Sequence, residues 1–110
     1  MDQQTKNVSS ITTLTTGFIL FKKFMNILVS NLSSNVIDED LKKLFSVYGE
    51  VSFIVVVRDR KTGRSKGNAF VEMPQGVQGE QAILGLHKME MDGTIISVEE
   101  ILYKAGEFNN

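Results

Sequence analysis

The chain has 110 residues, of which 42% are hydrophobic and 23% charged; this suits one packed domain and excludes a disordered polymer. It has no cysteine and one histidine, which rules out disulfides and thiol catalysis, leaves little for a transition-metal site and agrees with a reducing cytoplasm. The formal net charge is −1, so any affinity for nucleic acid has to come from local charge rather than from the whole chain.

Residues 1–24 differ in pattern from the rest of the chain. A polar start gives way to an apolar cluster, Phe18-Ile19-Leu20-Phe21, with Lys22 and Lys23 directly after it. The apolar run is far short of the ~20 residues that span a bilayer, so no membrane role is expected. Cations after the run, with no small-residue cleavage site, also do not fit a signal peptide. The expectation is an N-terminal extension, weakly ordered or docked on the domain as a strand or helix. Met25, just before the first core strand, is an alternative start.

From Met25 the pattern becomes regular. Asn26 to Ser30 alternates as a strand does, and Asn31 to Asn35 reads as a turn. Asp38, Glu39 and Asp40 put three carboxylates in a first helical turn, where the helix dipole favours them. Leu41, Leu44, Phe45 and Tyr48 recur at helical spacing until Gly49 stops the helix. Val51 to Val57 is a β-branched and aromatic strand, whose step from Val51 to Ile54 does not alternate cleanly and points to a bulge.

Arg58 to Gly67 reads as a polar loop around a Thr62-Gly63 turn. Arg58, Arg60, Lys61, Arg64 and Lys66 face a single acid there, Asp59, so the segment from Arg58 to Lys66 carries +4 and the remaining chain −5. Asn68 to Met73 is the third strand, ended by the only proline, Pro74. Val77 to Lys88 is a second helix with Ala82, Ile83 and Leu86 inward. Asp92-Gly93 is a turn, and Thr94 to Leu102 is the last strand.

The order is βαββαβ: an α+β, ferredoxin-like sandwich with a four-stranded antiparallel sheet and two helices on one face. Two stretches carry more than fold. In Ile27-Leu28-Val29-Ser30-Asn31-Leu32 and Lys66-Gly67-Asn68-Ala69-Phe70-Val71-Glu72-Met73, alternation puts a cation and an aromatic ring, Lys66 and Phe70, on one face. The pair resembles the ribonucleoprotein motifs of the RNA recognition motif family, in particular its small single-domain bacterial members. The resemblance covers residues 25–104, leaving a tail at 105–110. It includes Asp40-Leu41 and Phe45, Tyr48-Gly49-Glu50-Val51, Ala82-Ile83 with Leu86, and Asp92-Gly93 ahead of Ile96 and Val98.

Alternation assigns Ile27, Val29, Val51, Ile54, Val56, Ala69, Val71, Ile96 and Val98 to the helix side of the sheet. The open side then presents Leu28, Ser30, Phe53, Val55, Val57, Asn68, Phe70, Glu72, Ile95, Ser97 and Glu99. The resemblance implies single-stranded RNA as partner, with Leu28, Ser30, Val55, Val57, Arg58, Arg60, Arg64, Lys66, Asn68, Phe70 and Glu99 as the binding set. Phe70 would stack a base, Leu28 pack on a base or ribose, Asn68 bond a base edge, and the cations hold phosphates. The family usually has aromatics where Leu28, Asn68 and Phe70 stand, and only Phe70 is one here. At roughly 1–3 kcal/mol per stacked base, that implies weak binding or a changed footprint.

The same apolar face could instead receive a protein partner or a second copy of the chain. No nucleophile, base and oxyanion donors assemble, His87 reads as structural or solvated, and no Walker-type phosphate loop is present. The chain therefore reads as a cytoplasmic non-enzyme without cofactor or metal.

Overall fold

In Met25–Ser30 every second side chain is fully buried, Met25, Ile27 and Val29, while Asn26, Leu28 and Ser30 stay half-buried on the other face. This period-two pattern is what a strand shows when one face meets a core. A computed structural model describes residues 24–102 of the chain. Its elements are β1 (Met25–Ser30), α1 (Asp38–Ser46), β2 (Phe53–Arg58), β3 (Ser65–Met73), α2 (Gly76–Leu86), β4 (Glu90–Met91), β5 (Thr94–Ile95) and β6 (Ser97–Glu100).

β2, β3, β1 and β6 form one antiparallel sheet in that order, while β4 and β5 form a separate hairpin. The ferredoxin-like βαββαβ architecture expected from the sequence is the observed one. The core lies between the sheet and the helices. Ile27, Val29, Val56, Ala69, Val71, Ile96 and Val98 meet Leu41 and Phe45 of α1 and Ala82 and Leu86 of α2 there, all 3% exposed or less. Each such side chain contributes about 1.5–3 kcal/mol of burial when large, so the core sets the sheet's register and thereby the face opposite it.

Four of the differences between these element bounds and the sequence reading have a plain physical reason. β2 starts at Phe53 rather than Val51, and Ser52 donates its amide to Glu72 O at 2.9 Å just outside the ladder. The irregular step at Val51–Ile54 is therefore an approach to the strand, not a bulge inside it. β3 starts at Ser65 rather than Asn68, so the connecting loop shrinks to Asp59–Arg64. α2 ends at Leu86 rather than Lys88, because His87 is extended and Lys88 has φ 69°. The single last strand is two pieces. Thr94 and Ile95 pair with Met91 and Glu90 across Asp92 and Gly93, whose φ values of 49° and 86° are those of a primed hairpin turn. Ile95 accordingly lies outside the main sheet and is not part of its open face.

The extension at 1–24, apart from Phe24, and the tail at 105–110 lie outside the described residues. Among those described, no helix is long and apolar enough to cross a membrane.

Candidate nucleic-acid interface

The ladders fix the open face as three rows. Glu72 of β3 pairs with Phe53 of β2 on one side and Asn26 of β1 on the other. Phe70 pairs with Val55 and Leu28, and Leu28 pairs in turn with Glu99 of β6. In the third row Ser30 pairs with Ser97, while Val57 faces a break in the β2–β3 ladder. Directly paired residues on one face have Cβ atoms about 5 Å apart, so the first two rows are continuous strips of side chains.

The middle row is the apolar platform. Phe70 leaves 43% of its surface exposed, enough for a ring face to be reached, between half-buried Leu28 and Val55. Glu99 at its β6 end is exposed and accepts the Ser97 hydroxyl at 3.3 Å.

The third row departs from simple alternation. Val56 pairs with Ala69 but Arg58 pairs with Ser65, so β3 accommodates two extra residues across Lys66–Gly67–Asn68. Gly67 adopts φ 84°, and its carbonyl accepts the Leu32 amide at 2.8 Å. A Cβ at Gly67 would meet Leu32 O at 3.3 Å, so both the turn and the close approach call for glycine. The bulge takes Lys66 and Asn68 out of strict register with Phe70 and Glu72, and Lys66 is exposed. Asn68 is half-buried, and its Oδ1 is buried with no hydrogen-bond partner, an acceptor whose cost, about 1–3 kcal/mol, a donor would relieve.

The basic loop is built rather than loose. The Asp59 carboxylate accepts the amides of Lys61 and Thr62 at 2.8 and 2.9 Å, and Arg64 N–H bonds Thr62 Oγ1 at 3.2 Å. The Asp59 amide and carbonyl close the loop on Arg64 O and Gly63 N, at 2.7 and 2.8 Å. The backbone amides of Thr62 and Lys61 hold the Asp59 carboxyl below its ordinary range. Arg60, Lys61 and Arg64 are exposed on this frame, whereas Arg58 spends one guanidinium N–H on Gly63 O at 3.2 Å. The loop thus presents cations at the bulged end of the sheet.

At the other end lies a feature that the sequence-derived binding set omitted. A groove of about 640 Å³ runs along the first row and part of the second, lined by Asn26, Phe53, Val55, Phe70, Glu72 and Ile101 among others. Phe53 is 52% exposed there. Alternation alone puts Phe53 and Glu72 on this face; their direct pairing is what joins them into one site.

Comparison with known proteins gives a consistent result. The sequence profile of the RNA recognition motif matches residues 27–97. RbpD of Nostoc sp., provisionally named an RNA-binding protein, is 43% identical over 76 residues, covering 69% of this chain and 81% of RbpD. Glycine-rich RNA-binding protein 1 of Mycosarcoma maydis is 41% identical over 70 residues, 64% of this chain, which spans only 40% of that longer protein. The crystal structure of RNA Binding Protein PG1 superposes with a TM-score of 0.70 at 42% identity, covering 73% of this chain and 96% of that one.

Proposed function

Because this chain belongs to the RNA recognition motif family, we propose that it binds single-stranded RNA on the open face of its sheet, with phosphates held by the loop between β2 and β3. The observation that carries this reading is the pairing of Phe70 with both Leu28 and Val55, which makes an accessible ring the centre of an apolar strip. Phe70 stacks a base. Leu28 and Val55 pack against its neighbours, and Asn68 hydrogen-bonds a base edge. Arg60, Arg64 and Lys66 contact phosphates, with Arg58 partly committed to the loop itself. Ser30, Val57 and Glu99 border the strip. A reducing cytoplasm is the compartment this reading expects for a cysteine-free chain.

The test is fluorescence anisotropy of a randomised single-stranded RNA pool, titrated at two salt concentrations with wild type and Phe70→Ala. Salt-sensitive binding that weakens by about 1–3 kcal/mol in the variant supports the reading. Five loop cations bound the log–log salt slope at about −3.5 for a single strand, and a steeper slope means another surface binds.

One observation favours a second reading. Phe53 and Phe70 expose apolar area next to each other, which a second copy of the chain could bury. Sedimentation across a concentration series, with wild type and Phe70→Asp, decides it: a monomer at every concentration in both rules out self-association.

A further inference from the structure

We infer that the groove between Phe53, Glu72 and Phe70 is a guanine subsite. The inference rests on the reading that RNA occupies this face, and deepens it by naming the base.

The groove combines two exposed aromatic rings with one carboxylate. Phe53 and Glu72 are paired across the β2–β3 ladder, and Phe70 lies two residues from Glu72 on the same strand face, about 7 Å along β3. The rings supply stacking area that any base would use. The carboxylate is selective, because ionised Glu72 is an acceptor only, with two oxygens side by side. It repels phosphates, so the backbone is directed away from it and toward the cationic loop at the opposite end of the sheet. What can enter beside Glu72 is a neutral group carrying N–H donors.

The Watson–Crick edges of the four RNA bases differ here. Guanine presents two adjacent donors, the N1 imino and the N2 amino group, matching the two oxygens of a carboxylate. Adenine and cytosine each present one amino donor beside a ring acceptor, which repels the second oxygen. Uracil's single N–H donor sits between two carbonyl acceptors. Only guanine satisfies both carboxylate oxygens without an acceptor–acceptor contact. Glu72 is half-buried at the groove, so water competes less than at a free surface and an unmet pairing is more costly.

The experiment uses the full chain and labelled nine-nucleotide RNAs, uridine throughout except for a central guanosine, adenosine, cytidine, uridine or inosine. Anisotropy titrations are run with wild type, Glu72→Gln and Phe70→Ala, each checked for its fold by circular dichroism. The inference expects the guanosine probe to bind about tenfold or more tightly than the adenosine, cytidine and uridine probes. Inosine, which keeps the N1 imino donor and lacks the amino group, falls between. Glu72→Gln replaces one acceptor by a donor, so the guanosine probe loses its advantage over the all-uridine probe, while the loss of negative charge acts on both probes alike. Equal binding of all probes, weakened alike by Phe70→Ala, overturns the guanine subsite and leaves RNA binding standing. A preference for adenosine or cytidine also overturns it. No binding of any probe at low salt removes both readings. Inosine changes the ligand rather than the protein, so the guanine inference stays testable even if Glu72→Gln fails to fold.

Discussion

Asp38 Oδ1 accepts the backbone amide of Val56 at 2.9 Å, tying the first turn of α1 to the outer edge of β2. The opposite edge of the sheet has a counterpart: His87 Nδ1 accepts the Val98 amide of β6 at 3.0 Å, while Lys88 N–H and Met89 O bond Ile96. Side chains and loop backbone therefore occupy positions where a further strand would pair. An exposed strand edge is a template for aggregation, and these bonds occupy part of each edge.

Replacing Asp38 by Ala should destabilise the fold by about 1.5–3 kcal/mol, the range for a hydrogen bond to a charged group, toward its lower end because Asp38 is only half-buried. Asp38→Asn retains an oxygen acceptor and should lose less, and Glu39→Ala should stay within about 0.5 kcal/mol. Urea denaturation of the three variants checks the order. Equal losses in all three would mean that charge at the helix start matters and the bond to Val56 does not.

His87→Ala should open β6 locally. The Val98 amide donates to the Nδ1 lone pair, a bond that the variant loses. Amide hydrogen exchange at Val98 should accelerate in the variant, with Ile27 and Val71 in the buried strands little changed. Unaltered exchange at Val98 would show that β6 is held by its pairing with β1 alone.

Much of this is readable from the sequence because burial has a period. Ile27 and Val29, Ala69 and Val71, and Ile96 and Val98 alternate with polar or half-exposed neighbours, and the core picks out those same residues. Asp92-Gly93 announces its turn through the one backbone conformation that dipeptide favours. The bulge at Lys66–Gly67–Asn68 is not readable, since Lys, Gly, Asn and Ala continue a formal alternation while the chain slips by two residues. The bonds of Asp38 and His87 are not readable either. They join residues 18 and 11 apart whose approach only the assembled sheet decides. Asp38 to Asp40 read as helix-start charge, and they do more: Asp40 Oδ2 also accepts the Ile37 amide at 3.0 Å. Alternation places Phe53 and Glu72 on the correct face, but a shared groove is a property of register, which the pattern of one strand does not contain.

Gly67→Ala should cost about 1–2 kcal/mol for the left-handed conformation alone, and more because the added Cβ meets the Leu32 carbonyl. Gly63→Ala is the control. It has φ 77° but nothing within 4 Å of a Cβ, so it should show the conformational cost without the contact. Thermal unfolding ranks the pair. A larger loss at Gly63 would contradict the close approach of Leu32 to β3 at the bulge.

Asp59 gives a pH dependence whose sign is set by its surroundings. The amides of Thr62 and Lys61 favour the ionised carboxylate, so its pKa in the folded loop lies below the ordinary 3.8. A depressed carboxyl stabilises the folded loop at pH above 3.8, and that contribution disappears as pH falls through the lower folded value. A carboxyl titration followed by NMR should place Asp59 below the ordinary 3.8. Asp59→Ala separates charge from geometry in RNA binding. The variant removes the only acid of the loop and so raises its positive charge, while freeing the amides of Lys61 and Thr62. If ordered cations matter, the variant binds single-stranded RNA more weakly than wild type despite that added charge. Tighter binding would mean that the loop acts through its net charge and that the Asp59 turn contributes only to folding.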